Sequence, residues 1–164
     1  MKLLNIILII FLFLTNGIKA DSKQLQILDI LQQGGNLIFI RHAYAPGGGD
    51  PENFNINDCS SQRNLSESGR EQSKEIGNFF KKYKIPIDLV FSSEWCRCKE
   101  TAKIAFEKYE IRNFLNSFFS KKFAKNRTSQ IRDLKEYVNN WNSSKNLVLV
   151  THYVVISEAL NYAP

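Results

Sequence analysis

Residues 36–42 read Asn-Leu-Ile-Phe-Ile-Arg-His, and residues 146–152 read Asn-Leu-Val-Leu-Val-Thr-His. Each is a short, unbroken apolar run rich in β-branched and aromatic residues, the pattern of a strand covered on both faces in a parallel sheet. Residues 87–93 (Ile-Asp-Leu-Val-Phe-Ser-Ser) supply a third such run. The segments around them have helical spacing. Residues 22–33 place Leu25, Leu28 and Leu31 on one face ahead of a Gly34-Gly35 stop. Ser66 is placed to cap a helix over 66–84, with Ile76, Phe79, Phe80 and Tyr83 on one side and Pro86 closing it. Residues 94–109 predict another helix, and 127–141 predict an amphipathic one through Ile131, Leu134, Val138 and Trp141. Residues 154–160 begin a last helix, while 110–125 fit no single pattern. Strands alternating with helices predict a three-layer α/β/α sandwich with a mostly parallel central sheet.

Both opening runs end in a histidine, and His42 and His152 are the only two in the chain. In parallel α/β sheets ligands bind beyond the carboxyl ends of the strands, so both imidazoles are expected at one edge. Arg41 precedes the first, and Arg97 lies just past the 87–93 run at the start of a helix. Guanidinium groups grip phosphate oxygens in pairs, and a helix N-terminus adds backbone donors, so this edge suits a tetrahedral dianion. One neutral imidazole there can attack phosphorus while the other hydrogen-bonds the phosphoryl oxygens. The connection over 43–65 is rich in Gly, Pro, Asn, Asp and Ser and unusually long, which marks it as functional.

The chain has 164 residues, 43% of them hydrophobic, which suits one domain. Residues 1–20 combine Lys2, an apolar run over 3–14 and a small residue at Ala20, the form of a cleaved export signal. That run is shorter than the ~20 residues a membrane span needs, so no stable span is expected after cleavage, and the domain is taken as 21–164 in the periplasm or outside the cell. Removal of Lys2 and Lys19 leaves 20 basic and 16 acidic residues, a formal +4. Without a long basic block interleaved with aromatics, nucleic acid is excluded as a partner. Export allows disulfides, and the three cysteines permit one bridge, Cys59 with Cys96 or with Cys98. Cys59 and the two histidines are the only Cys or His beyond the Cys96/Cys98 pair, too sparse a set for the roughly four ligands of a structural metal site.

Four motifs stand in order along the chain: Arg41-His42-Ala43, Asn64-Leu65-Ser66-Glu67-Ser68-Gly69, Ser92-Ser93-x-x-x-Arg97-x-x-Glu100-Thr101-Ala102, and Val150-Thr151-His152. Together they resemble the histidine phosphatase superfamily, also called phosphoglycerate mutase-like. The resemblance implies that fold, with His42 as the phosphorylated residue, Arg41 and Arg97 as phosphate-binding arginines, and His152 as the second pocket histidine. It implies no metal and no organic cofactor. Ala45-Pro46-Gly47, Gly49-Asp50-Pro51, Asp58-Cys59 and Gln62-Arg63-Asn64 resemble a bacterial exported branch. The chain departs from the pattern after Leu115-Asn116, where mutases and related phosphatases carry a proton-donating Glu and this chain has Ser117. By similarity to small phosphohistidine phosphatases, the donor is expected to be Asp50 or Asp58; the alternative roles are a turn former before Pro51 and a cap. Relatives continue past the position of Pro164 into another strand, so a shortened domain or a fragment is expected. The expected activity is hydrolysis of a phosphomonoester, such as a sugar phosphate or a phosphorylated envelope glycan. The alternatives are a non-catalytic phosphate-binding relative and, more weakly, a mutase, which needs a bisphosphate primer and the Glu that Ser117 replaces.

Overall fold

The computed structural model describes residues 25–162; the export signal expected over 1–20 lies outside them. In chain order the elements are α1 (25–33), β1 (Leu37–Arg41), α2 (Glu67–Lys82), β2 (Ile87–Ser92), α3 (Cys96–Phe106), β3 (Glu110–Ile111), α4 (Arg127–Asn140), β4 (Asn146–Thr151) and α5 (Tyr153–Leu160). The stretch that fits no pattern in sequence, 110–125, holds the two-residue β3 and short 3-10 turns. Among the described residues no helix is long and apolar enough to cross a membrane.

The strands form a four-stranded sheet in the order β1-β4-β2-β3, every pair parallel. The two echoing segments are neighbours: Leu37 pairs with Leu147 and Arg41 with Thr151, so both strands end level with one another. On the other side Val90 pairs with Val148 and Ser92 with Val150. β4 is buried along its whole length, which explains its lack of a polar face. Alternate residues feed opposite faces. Leu147 and Leu149 join Phe91 against Ile131 and Leu134 of α4 and Val155 of α5. Val148 and Val150 join Val90 against Phe80 of α2 and Cys98 and Ala102 of α3, with Leu28 and Leu31 of α1 packed beside them. Helices on both faces make the three-layer sandwich.

One residue on each of two helical faces departs from its sequence reading. Leu25 of α1 is 60% exposed, and Phe79 of α2 also faces solvent. The buried face of α2 runs Gly69, Ser73, Gly77, Phe80, with Ile76 and Tyr83 of the expected stripe packed beside it and Phe79 alone turned outward. Close packing on α3 is the reason. A Cβ on Gly77 would lie 2.5 Å from the Ala105 carbonyl oxygen, so small residues let the two backbones approach where larger ones would separate them.

Candidate active site

The parallel register brings His42, Ser93 and His152 to the same sheet edge, because each follows directly on β1, β2 or β4. The ladder extends one step past the strands: the His42 N–H donates to the Thr151 carbonyl at 2.9 Å, and the Ser93 N–H to the Val150 carbonyl at 3.0 Å. His42 is thereby set in place by backbone. Its Nδ1 lies 2.8 Å from the Ala43 carbonyl, which can only accept, so Nδ1 carries the hydrogen and Nε2 holds the free lone pair. Burial lowers its pKa to about 4, with Arg97, Arg63 and Arg41 acting in the same direction and the Ala43 hydrogen bond opposing them. Near neutral pH the ring is an uncharged base with its nucleophilic nitrogen unencumbered.

His152 stands 5.4 Å away between ring centroids, edge to face. Arg97 Nη2 lies 3.5 Å from its Nδ1, and because a guanidinium only donates, Nδ1 accepts and the proton sits on Nε2. Nε2 then donates to Ser93 Oγ at 3.0 Å, and Ser93 passes its own hydrogen to Asn116 Oδ1 at 3.1 Å. Burial, followed by Arg97 and His42, holds the His152 pKa well below the ordinary imidazole value. The buried Cys98 thiol lies 3.5 Å from the same Nε2, and burial pushes its pKa up to about 12.

Arg97 occupies the first turn of α3 and is almost fully buried. Its Nη1 and Nη2 grip both oxygens of Asp50, at 2.7 and 3.2 Å. Asp50 also accepts from the Trp95 indole at 3.0 Å and the Arg63 backbone N–H at 3.2 Å. Burial alone would raise the Asp50 pKa, but the hydrogen bonds and charge of Arg97 hold it below the usual carboxylate value. Asp50 is thus an anion that sets the plane of Arg97. Arg97 Nε is buried with no hydrogen-bond partner, and so is Arg63 Nε. A buried guanidinium N–H without an acceptor is costly, and both residues line one cavity of about 820 Å³. That cavity also takes in Arg41, His42, Asp50 and His152.

Of the residues expected from sequence, Arg41, His42, Asp50, Arg97 and His152 line this cavity, and Asp58 does not. Asp58 caps the 3-10 turn Cys59–Ser61, accepting from the Ser60 N–H at 2.9 Å. Sequence reasoning missed Arg63 as a site residue. It lies in the long polar connection, with no periodicity to place it, and only the fold shows its Nη1 donating to the Ala45 and Gly47 carbonyls beneath the cavity. It missed Glu52 for the same reason; this second carboxylate lines the cavity and makes no ion pair or hydrogen bond among the described residues. Ser117 does reach the cavity, while the preceding Asn116 is spent on Ser93 and the Glu94 backbone.

The connection is held against the sheet edge at several points. Thr101 Oγ1 accepts from the Ala43 N–H at 3.0 Å, and a Cβ on Gly69 would lie 2.1 Å from the Tyr44 carbonyl oxygen. The bridge left open in the sequence reading is Cys59–Cys96, which fastens the connection to the residue next to Arg97; Cys98 is free and buried. Among the described residues no group of His, Cys, Asp or Glu has the arrangement to hold a metal ion.

Residues 37–146 match the family model described as Histidine phosphatase superfamily (branch 1). No curated protein sequence matches the chain. Among solved structures, the protein histidine phosphatase SixA complexed with tungstate superposes with a TM-score of 0.52 at 17% identity, over 76% of this chain and 73% of that one. A mycobacterial glucosyl-3-phosphoglycerate phosphatase complexed with VO3 superposes with a TM-score of 0.56 at 16% identity, over 76% and 79% of the two chains. A protein of Thermus thermophilus is similar at 13% identity and a TM-score of 0.51, over 76% and 82%. At these identities the likeness is one of fold.

Proposed function

Because the chain belongs to the histidine phosphatase superfamily, branch 1, we propose that it hydrolyses phosphomonoesters through a phosphohistidine on His42. One observation carries this reading: a neutral imidazole with its Nε2 lone pair free lines a cavity together with Arg41, Arg63 and Arg97, the last two with Nε donors that have no partner. A phosphoryl dianion supplies the missing acceptors. Two proteins of this fold are described as complexes with oxyanions, tungstate and VO3.

In the first step the His42 Nε2 lone pair attacks phosphorus, and the phosphorus–oxygen bond to the leaving group breaks. Arg97 and Arg63 neutralise charge on the phosphoryl oxygens, and His152, its Nε2–H committed to Ser93, lies alongside with its Nδ1 orienting Arg97. The leaving oxygen takes a proton from a cavity carboxyl. Asp50 is bound as an anion by Arg97, so we assign Asp50 to positioning and the donor's part to Glu52, the cavity carboxylate without a partner. In the second step the Glu52 carboxylate left by the first takes a proton from water as that water attacks phosphorus, the phosphorus–nitrogen bond breaks, and inorganic phosphate leaves. No step calls for a metal or an organic cofactor.

We also propose that residues 1–20 direct export, which would place the substrate outside the cytoplasm, as in the bacterial exported branch that the 45–64 stretch resembles. A mature N-terminus at Asp21 in secreted or periplasmic material is the expected finding.

The test is hydrolysis of p-nitrophenyl phosphate without added metal, with acid quenching replaced by alkaline quenching to trap an acid-labile, base-stable phosphoryl adduct. Wild type is expected to turn over and label, and His42→Ala to do neither. Equal rates in the two, or none in either, overturn the assignment.

A further inference from the structure

The cavity is larger than a phosphoryl group requires. Its volume of about 820 Å³ lies in the range of roughly 300–1,000 Å³ that encloses whole small molecules. Burial divides it. His42, Arg97 and His152 are buried and form the floor, while Phe119, Lys121 and Lys122 are exposed and form part of the rim.

That rim belongs to the segment after Ser117, which has no long helix or strand of its own yet is anchored at both ends. Phe118 is buried in the core beside Leu115 and Val155. Phe123 packs edge-on against Trp95 at 5.4 Å and Phe54 at 5.6 Å. Between these anchors the chain holds up Phe119, 69% exposed, and the adjacent lysines. An apolar ring so exposed at the mouth of the cavity offers a surface for a flat or ring-shaped group. Lys121 and Lys122 make no ion pair and no hydrogen bond among the described residues, and Lys122 lies 5.5 Å above the Phe123 ring. The rim therefore presents an apolar face and two cations that no carboxylate neutralises among the described residues to whatever the floor's phosphoryl group is attached to.

Resting on the phosphatase reading, we propose that the substrate's leaving group carries a ring that lies on Phe119 and a second anionic group that Lys121 and Lys122 hold. The phosphoryl group sits on the floor with Arg97 and Arg63, and the second anion sits at the rim. The 117–123 segment is the specificity wall of the site.

Steady-state kcat/KM for three probes tests this: 4-carboxyphenyl phosphate, phenyl phosphate and the ringless glycerol 2-phosphate, each measured on wild type, K121Q/K122Q and Phe119→Ala. Reading each ratio of probes against the variants cancels the probes' intrinsic reactivities. Wild type is expected to favour 4-carboxyphenyl over phenyl phosphate by about tenfold, the contribution of two solvent-exposed charge pairs, and to lose much of that preference in high salt. K121Q/K122Q is expected to bring this ratio near one. Phe119→Ala is expected to cut the preference for phenyl phosphate over glycerol 2-phosphate severalfold, chiefly through KM. Turnover of phenyl phosphate with a carboxyl preference that is absent, or that survives K121Q/K122Q, overturns the second-anion site while leaving the hydrolase standing. No turnover of any probe by wild type overturns both.

Discussion

Lowering the pH should destabilise this protein through His42, whose ring burial holds neutral. Unfolded, the imidazole takes up a proton near its ordinary pKa of 6.5; in the native state burial delays this to about 4. Between those values the unfolded chain binds more protons than the native one, so stability falls as pH falls, at up to about 1.4 kcal/mol per pH unit. Integrating the two titrations from pH 7 to pH 5 gives a loss of about 2 kcal/mol from this one ring. Asp50 does not confuse the window. Its pKa is depressed, so the stability it contributes is lost only as pH falls through a value below 3.8. The assay is urea unfolding of wild type and His42→Asn at both pH values. With a slope of about 2 kcal/mol per molar, the wild-type midpoint should drop by about 1 M more than that of the variant. His152 contributes in the same direction to both proteins, chiefly through burial and Arg97, so the larger part of its effect cancels in the difference. Curves that shift in parallel would show that His42 is not held neutral by burial, and the account of its nucleophilicity would fall with it.

The two cavity carboxylates should separate in kinetics. Glu52→Gln is expected to slow substrates with poor leaving groups by at least tenfold and spare p-nitrophenyl phosphate, whereas Asp50→Asn, which releases Arg97, should weaken all substrates alike. Equal selectivity in both variants would refute the division of roles. Cys59 and Cys96 are 37 residues apart, so Cys59→Ser/Cys96→Ser should lose about 4 kcal/mol of stability by loop entropy, measured by urea unfolding under oxidising conditions. A loss below about 1 kcal/mol would show that the bridge does not constrain the unfolded chain. Gly77→Ala should cost about 1–3 kcal/mol, because its Cβ would meet the Ala105 carbonyl at 2.5 Å and force α2 from α3; an unchanged melting temperature would refute that packing.

Much of the fold was legible because its signals are local. The runs ending at His42 and His152 are apolar without alternation, and that alone implies parallel strands covered on both faces, as β1 and β4 are paired here. Once two such strands lie parallel and in register, the residue after each must emerge at the same edge, so the histidine pair could be placed without coordinates. Arg97 followed from the same logic, one turn beyond β2. Of the four residues expected on the inner face of α2, Ile76, Phe80 and Tyr83 pack in the core and only Phe79 does not: periodicity identifies a helix, but the edge of its buried face depends on how closely α3 approaches, and Gly69, Ser73 and Gly77 outweigh Phe79 there.

The electrostatic half of the site belongs to the tertiary structure. Asp50 and Asp58 sit in the same polar connection and look alike in sequence. One closes on Arg97, Trp95 and the Arg63 backbone, and the other caps a turn. Likewise the partner of Cys59 and the approach of Arg63 depend on where a long loop returns, since loops carry no repeat from which direction can be read. The amino-acid sequence alone determined that two imidazoles and a guanidinium meet at one sheet edge, because strand periodicity and register are short-range properties. Only the folded chain decided which charges surround them and what the rim presents, because those contacts join residues that chain entropy keeps apart until the sheet and the loop have closed.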